Sequence, residues 1–352
     1  MGTRVWAYHV DSPVPFSNTL KLTLKRGALV AAANWPVTVI QAIADSLFKL
    51  LILGPLVGGI FLVGLVVGEE PVALMSQDWR ELATTIVTSL LSRPLVLTAW
   101  IASLGAVITG ASLFVFLIKG GAVGILVRGE RKAGPVEQPP LLPDVVATAS
   151  AFSVDQFIES ARALFPRFAR LGLALMGVYL ASGAIYLIAV SASRSPGLLV
   201  AGLFTVVFVA WITIVNFLYL LMQIVIVADD CSVMSALPRV SAFLHRERRL
   251  VVAVFLVVLA LVLCATGASL VATAALGLIA FIPLFGLTVL PLQLLAWMLR
   301  DLVFQYIGLS SIAAYVTLYR DHPRTSLADA RVRRTSRARG EPDPGVNAAE
   351  MS

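Results

Sequence analysis

The longest stretch of this sequence without a charged residue lies between Arg249 and Arg300. A helix needs about 20 apolar residues to cross the hydrocarbon core of a bilayer. Lipid offers no hydrogen-bond partners to the backbone, so a long apolar run at membrane depth has to be helical. With 59% hydrophobic and 13% charged residues, the chain also lies outside the range of soluble domains. The predicted fold class is therefore all-α, a polytopic transmembrane helical bundle.

Six apolar runs are predicted to span the membrane. They cover residues 37–67, 95–127, 171–190, 198–227, 251–281 and 284–319, within a membrane domain at 19–320. The last run contains Pro291 and the pair Arg300-Asp301. It fits one long kinked helix, a short re-entrant piece followed by a span, or two full spans. Residues 1–18 are polar and predicted to be flexible, and the Arg-rich tail at 321–352 is predicted to be disordered because it cannot bury a core.

The distribution of basic residues favours six spans over seven. With six spans and the N-terminus in the cytoplasm, 21 of the 27 Lys and Arg residues fall in cytoplasmic segments. A seventh span would export the Arg-rich tail, against the tendency of basic loops to stay inside. Both termini are therefore predicted to be cytoplasmic. The formal charge of +7 is expected to meet anionic lipid and not nucleic acid, because the basic residues cluster beside apolar runs.

Basic segments precede three of the predicted spans and begin at Thr19, Ser153 and Ser232. The first, at 19–33, fits both a strand and a helix, and we favour the helix. The other two carry apolar residues at helical spacing on one face. These faces comprise Phe157, Ala161, Leu164, Phe165 and Phe168 in one segment and Val233, Leu237, Val240 and Leu244 in the other. Such helices are expected to lie in the headgroup layer, and an ordinary solvated helix is the alternative.

Six arginines of these segments are the predicted contacts to anionic lipid headgroups. They are Arg162, Arg167, Arg170, Arg239, Arg246 and Arg249. Each arginine close to an anionic membrane surface contributes about 1 kcal/mol to binding. Membrane lipids are therefore the partners that the sequence predicts most directly.

Two connecting segments have a distinctive composition. Residues 128–152 form a Pro-rich linker on the cytoplasmic side, whose GPVEQPPLLP core favours polyproline II conformation over packing. The loop at 69–94 is acidic. It carries Met75, Trp79, Leu82, Ile86 and Leu90 at helical spacing, which predicts a helix on the membrane surface.

Charged residues inside the spans are the sharpest lead to a functional site. Asp45 and Lys49 lie four residues apart in the first span, and Arg300 and Asp301 are adjacent in the last. Charges at membrane depth are costly, so they usually pair or line a polar cavity. We hypothesise that these four residues form a polar site for an ion or a lipid headgroup. In the alternative, the first two lie at the cytoplasmic interface and the last two mark a helix break that faces the protein. Lys119 of the second span is expected to reach the nearby interface with its long side chain.

Catalytic patterns are missing from the sequence. Its three histidines, His9, His245 and His322, lie outside the predicted spans, and neither an HExxH motif nor a P-loop occurs. Asp45 and Asp301 each lie beside a cation, which would keep them ionised instead of sharing a proton as in aspartyl proteases. The chain is therefore expected not to be an enzyme and to need no metal or cofactor.

Two short motifs resemble those of a bacterial family. One is an acidic pair at the end of a span, followed by a helix and a basic turn. Its residues here are Asp229, Asp230, Ala236, Leu237, Arg239, Ser241 and Arg249, and Leu318–Asp321 match a closing LYRD-like motif. With the FIESARALFPRF segment, they resemble stand-alone bacterial proteins similar to the membrane domain of glycerophosphodiester phosphodiesterases. The resemblance covers about 19–324 and implies a six-helix protein of the inner membrane with no established activity.

Two functional classes remain open. The first is a non-enzymatic protein of the bacterial inner membrane that organises lipid or partner subunits, for which the GxxxG spacings at Gly54, Gly58, Gly64 and Gly68 would accept a partner helix or a second copy. The alternative is a permease-like transporter component for a lipid or small amphiphile, favoured by the intramembrane charges and the Pro- and Gly-interrupted spans. A dry bundle would favour the first class, and a cavity beside Asp45 or Arg300 the second.

Overall fold

The computed structural model describes residues 16–67, 78, 84, 88, 91–137, 143–192, 198–280 and 286–321. Within these residues every regular element is a helix, which confirms the predicted all-α fold class. The helices are α1 (Phe16–Ala33), α2 (Trp35–Val67), α3 (Pro94–Lys132), α4 (Pro143–Thr148), α5 (Val154–Ala192), α6 (Leu198–Ala228), α7 (Val233–Ala280) and α8 (Gly286–Asp321).

Six of these helices, α2, α3, α5, α6, α7 and α8, are long and apolar enough to cross a membrane. The shortest apolar part, Trp35–Gly59, has 25 residues. At a rise of about 1.5 Å per residue, even this part exceeds the hydrocarbon core, which is about 30 Å thick. The chain is an integral membrane protein that crosses the bilayer several times.

The densest packing lies at one end of the bundle, which we call the basic end. It comprises α1, α4, the starts of α2, α5 and α7 and the C-terminal parts of α3, α6 and α8. Large side chains there are at most 1% exposed, among them Val30, Ile125, Leu221, Leu309 and Val316. At the opposite end, large apolar side chains stay exposed, among them Leu180, Ile185, Leu203, Leu270 and Val271. Faces of this kind suit a lipid environment, in which apolar surface needs no protein cover.

Close approach of α5 to α3 depends on glycines. A Cβ atom at Gly121 would lie 2.8 Å from the Phe157 ring, and one at Gly124 would lie 2.8 Å from the Ser160 Cβ. Such distances are too short for real side chains. The absence of a Cβ atom therefore lets the two helices pack at short range.

This packing corrects the prediction of a separate surface helix after Ser153. The helix α5 continues from Val154 through Pro166 to Ala192, so that surface segment and span form one helix. Its apolar face turns towards the protein, where Phe157, Ala161, Leu164 and Phe168 are at most 8% exposed. The physical reason is the glycine face of α3, which gives these side chains protein contacts in place of lipid.

The helix α7 bends at Glu247, whose backbone angles (φ −103°, ψ 22°) leave the helical region. We call the part before the bend, residues 233–246, the α7 arm. The buried side chains of the arm are Ala236, Val240 and Phe243, whereas Leu237 is 56% exposed. The predicted apolar face is thus rotated by about one residue. The Phe243 ring packs edge-on against Tyr319 at 5.3 Å, which draws that side of the arm inward.

Three side-chain hydrogen bonds join α5 and α6 in their exposed halves. They connect Tyr179 with Asn216, Ser182 with Trp211 at 2.9 Å, and Tyr186 with Thr205 at 3.0 Å. Interhelical hydrogen bonds of this kind contribute about 0.6 kcal/mol each on average in membranes. They hold together two helices whose surfaces are otherwise apolar.

The linker after α3 is packed in its described parts, and residues 138–142 of the predicted polyproline II core lie outside the described residues. Val136, Ala149 and Ala151 are at most 4% exposed. The Asn34 amide fixes the last two, since its Nδ2 donates to the Ala149 carbonyl at 3.0 Å and its Oδ1 accepts from the Ala151 N–H at 2.8 Å. One buried amide between α1 and α2 therefore orders the linker.

The predicted boundaries at the two ends of the chain can be compared with the structure only in part. The helix α1 begins at Phe16, inside the segment predicted to be flexible, and continues through 19–33 as a helix and not as a strand. The tail beyond Asp321 lies outside the described residues, as does most of the predicted surface helix in the 69–94 loop.

Candidate functional site

Three of the four charged residues singled out in the spans come together between α2 and α8. Lys49 Nζ lies 2.8 Å from Asp45 Oδ2 and 2.9 Å from Asp301 Oδ2. One ammonium group therefore bridges two carboxylates from different helices. The side chains of Asp45 and Asp301 are 38% and 25% exposed, so the cluster is open on one side. We call these three residues the ion triad.

The ion triad lies far from the basic end. With a rise of about 1.5 Å per residue, roughly 28 Å of helix separates Asp301 from Arg320, and roughly 22 Å separates Lys49 from Asn34. Arg320 and Asn34 both belong to the basic end, because Arg320 Nη1 lies 3.9 Å from the carboxylate of Glu130 and Asn34 binds the linker. The triad is therefore inside the membrane-spanning part of the bundle.

The fourth predicted residue, Arg300, does not join the triad. Its guanidinium lies over the ring of Phe304 at 5.7 Å, and the side chain is exposed. Adjacent residues on a helix point in directions about 100° apart, so Asp301 and Arg300 cannot both face α2. The helix α8 also runs through this pair without a break.

A second cation, Lys119 of α3, replaces Arg300 near the triad. Its ammonium lies 5.6 Å from the centre of the Tyr219 ring, and Asp45 is the acidic group that acts on it electrostatically. Lys119 thus faces the protein interior, against the expectation that it reaches the interface.

Two further polar side chains lie beside Lys119. Gln223 is 4% exposed and Tyr219 is 9% exposed. The Gln223 Nε2 and Tyr219 Oη atoms have no hydrogen-bond partner within the described parts of the chain.

A different ion cluster closes the basic end. The guanidinium of Arg26 pairs with Glu130 at 3.0 Å and with Glu137 at 2.9 Å, and it donates to the carbonyls of Ala133 and Gly134. Glu130 is only 3% exposed. Burial alone would lower the pKa of Arg26, but the two carboxylates raise it above its ordinary value, so the guanidinium stays charged. This cluster ties α1 to the end of α3.

The turn between α6 and α7 joins the two motifs on which the family resemblance depends. Asp229 Oδ2 accepts hydrogen bonds from Arg239 and from the Tyr319 hydroxyl, both at 2.7 Å. Asp230 adopts a positive φ of 48°, which aspartate tolerates better than most residues, and pairs with Arg167. The contacts of Asp229 join the turn to the α7 arm and to α8, and the Asp230–Arg167 pair joins the turn to α5.

The six arginines predicted to contact lipid fall into two groups, those that pair with an aspartate and those that do not. Arg167 and Arg239 each pair with an aspartate and serve the fold. The remaining four are exposed and form no ion pair with any residue that the structure describes: Arg162, Arg170, Arg246 and Arg249. Arg248, which was not among the six, shares both properties.

A groove of about 560 Å³ lies between the start of α1 and the first turns of α7 after its bend. It is lined by Phe16, Arg248, Arg249, Val252, Ala253 and Leu256. A smaller groove of about 340 Å³ lies between α5 and α6, with Tyr186, Phe204, Phe208 and Trp211 among its lining residues. Neither groove reaches the ion triad.

Sequence reasoning missed several of these residues. Glu130 had only a weak signal, since it lies among other charged residues at the end of its helix. Arg26 and Tyr319 had none, because their partners lie far away in the sequence. Among the described residues, no group of three His, Cys, Asp or Glu side chains could hold a metal ion.

Comparison with known proteins adds no further likeness. No family model matches the sequence, and neither a curated protein nor a solved structure matches the chain. The resemblance to the membrane domain of glycerophosphodiester phosphodiesterases therefore stays a prediction. What is established at this point is a multi-pass integral membrane protein with an ion triad in its spans and a packed, arginine-rich end.

Proposed function

We propose that this chain is a non-enzymatic protein of the bacterial inner membrane whose basic end faces the cytoplasm and binds anionic lipid. Through that binding it organises the surrounding lipid or partner subunits. The observation that carries the proposal is the set of exposed arginines on α5 and α7 that pair with no carboxylate in the part of the chain that the structure describes.

The location of these arginines supports lipid as their ligand. Arg162 and Arg170 lie on α5 and Arg246, Arg248 and Arg249 on α7, beside the apolar parts of the same helices. A guanidinium group binds phosphate through two parallel hydrogen bonds. Each such residue near an anionic leaflet contributes about 1 kcal/mol, so five together favour anionic over zwitterionic lipid strongly.

The organising role has support from an open helix face. A Cβ atom at Gly54 or at Gly58 would meet nothing within 4 Å. Glycines four residues apart let another helix approach closely in a membrane. This face of α2 therefore suits a second copy of the chain or a partner membrane subunit.

Lipid binding can be tested with the purified chain in nanodiscs of phosphatidylcholine, with or without phosphatidylglycerol. We expect phosphatidylglycerol to raise the thermal unfolding midpoint, and we expect this gain to disappear when the five arginines are changed to glutamine. A control variant, Arg93→Gln with Arg300→Gln, removes charges away from the basic end and should keep the gain. An equal midpoint in both lipids for the unmodified chain would overturn the proposal.

The ion triad favours a second candidate function, a permease-like transporter component for a lipid or small amphiphile. Charged residues inside spans often mark substrate paths, and both helices of the triad contain an internal proline, Pro55 and Pro291. Transfer of a fluorescent phospholipid across proteoliposome membranes would test it. Lys49→Met should abolish the transfer and Arg300→Met should not. Equal transfer in protein-free vesicles would exclude this function.

A further inference from the structure

The lining of the groove between α1 and α7 changes from basic to apolar side chains along α7. Arg248 and Arg249 occupy the first turn after the bend at Glu247, and Val252, Ala253 and Leu256 follow on the same side of the helix. Residues three, four and seven apart share a helix face. Over roughly 12 Å, the groove therefore passes from two guanidinium groups to an apolar wall.

This order matches the order of groups in a phospholipid. A phosphate lies at the membrane surface, and its acyl chains extend from there towards the bilayer centre. The side chains of α7 follow the same order. From the basic end inward, its arginines come first and its apolar residues lie deeper. Phe16 of α1 supplies a second apolar wall opposite.

Both arginines are available to a ligand. Each is exposed, and neither forms an ion pair with the described residues. By contrast, Arg239 of the α7 arm is held by Asp229 at 2.7 Å. The bend at Glu247 explains why Arg239 is paired and why Arg248 and Arg249 are exposed. It directs the α7 arm against the protein and leaves the next turn of α7 facing outward.

We propose that this groove binds one anionic phospholipid, with its phosphate between Arg248 and Arg249 and the upper part of one acyl chain along Val252 and Leu256. The inference rests on the proposed lipid-binding function and assigns it a specific site. A basic groove for nucleic acid would need polar walls, whereas the deeper walls here are apolar.

The test uses phosphatidylglycerol carrying a photoactivatable diazirine in the upper part of its acyl chain. The full chain is reconstituted in phosphatidylcholine nanodiscs that contain this probe, irradiated and digested. We expect crosslinks in the peptides that contain Phe16 and 252–256. An excess of unlabelled phosphatidylglycerol should compete for them, and phosphatidylcholine should not.

Two variants test the site by independent routes. Arg248→Gln with Arg249→Gln should weaken crosslinking at 252–256 roughly thirtyfold, the factor expected for two arginines near an anionic lipid. Ala253→Trp keeps both charges but fills the groove, and should lose the crosslink as well. The matched control, Arg93→Gln with Arg300→Gln, removes the same charge away from the basic end and should keep the crosslink.

The outcomes separate this inference from the function on which it rests. Equal crosslinking at 252–256 in the groove variants and in the control would overturn the specific site, even if phosphatidylglycerol still stabilises the chain. No stabilisation by phosphatidylglycerol in any variant would overturn the proposed function itself. Should the double arginine variant fail to fold, the result for Ala253→Trp decides alone.

Discussion

At the scale of single residues, nearby carboxylates decide what each basic side chain does. Arg26 and Arg239 are fully engaged by acidic partners and hold helices together. Arg248 and Arg249 have no such partner among the described residues and remain available. The difference lies in the surroundings, since all four side chains are chemically identical.

Loss of Arg26 should destabilise the fold strongly. Arg26→Met would leave Glu130 charged, buried and without its closest partner, which typically costs about 3–5 kcal/mol. Arg128→Met is the matched control, because Arg128 makes only an exposed contact to Glu159 at 3.9 Å and should cost less than about 1 kcal/mol. Unfolding of both variants in detergent micelles measures the difference. Equal losses would contradict the role assigned to this cluster.

The ion triad makes a second prediction at this scale. Lys49→Met leaves two aspartates facing each other inside the spans and should lower the free energy of unfolding by about 2 kcal/mol. Adding Asp301→Asn to it removes the repulsion and should restore part of that loss. Arg300→Met, outside the triad, should change the stability little. A double variant with the full sum of both single losses would show that the triad is not coupled.

Three of the four charged residues singled out from the sequence are neighbours in the structure, and the second cation near them is Lys119 instead of Arg300. Spacing along one helix explains Asp45 and Lys49, which lie four residues apart. Contact between α2 and α8 is predicted only from the free-energy cost of charged side chains at membrane depth, because such charges need partners. Lys119 could not be assigned, since the direction of a side chain on α3 depends on how α3 packs against α6.

At the scale of whole helices, small residues set the distances between neighbours. Gly27 of α1 shows this most clearly, since a Cβ atom there would lie 2.7 Å from the backbone N of Ala314 and from the carbonyl oxygen of Ser310. Backbone atoms cannot move aside as a flexible side chain can. The contact between α1 and α8 therefore requires glycine at this position.

Gly27→Ala should accordingly destabilise the chain by about 1–3 kcal/mol, because it forces α1 away from α8. Gly308→Ala is the control and lies on α8, since a Cβ atom at Gly308 would meet nothing within 4 Å. That variant should be neutral or stabilising by up to about 1 kcal/mol, as alanine favours helix. Thermal unfolding of the two variants compares them. A stable Gly27→Ala chain would contradict the close packing of α1 on α8.

The sequence predicts which runs are helical where their apolar length determines this. It does not predict the extent or orientation of a helix where these depend on contacts with other helices. Long apolar runs can only be helical in lipid, so the all-α class followed from the sequence. The continuous α5 and the rotated face of the α7 arm did not follow. Both depend on partners, the glycines of α3 in one case and Tyr319 in the other, which are remote in sequence.

At the scale of the whole molecule, the bundle is asymmetric between its two ends. The basic end is packed and rich in ion pairs, whereas the opposite halves of α5, α6 and α7 present exposed apolar faces. The charge count predicts that the basic end lies in the cytoplasm, but it does not predict that the core concentrates at this end. Core packing at that end brings α1, α4 and the linker together, none of which crosses the membrane.

The most direct test of this account is the side of the membrane on which the basic end lies. In a chain whose two cysteines are replaced by alanine, single variants Arg246→Cys and Ser195→Cys would be treated in intact cells with a membrane-impermeant maleimide. We predict that Ser195→Cys, between α5 and α6, is labelled at once and that Arg246→Cys is labelled only after the cells are permeabilised. Labelling of Arg246→Cys in intact cells would contradict the cytoplasmic, lipid-binding role of the basic end.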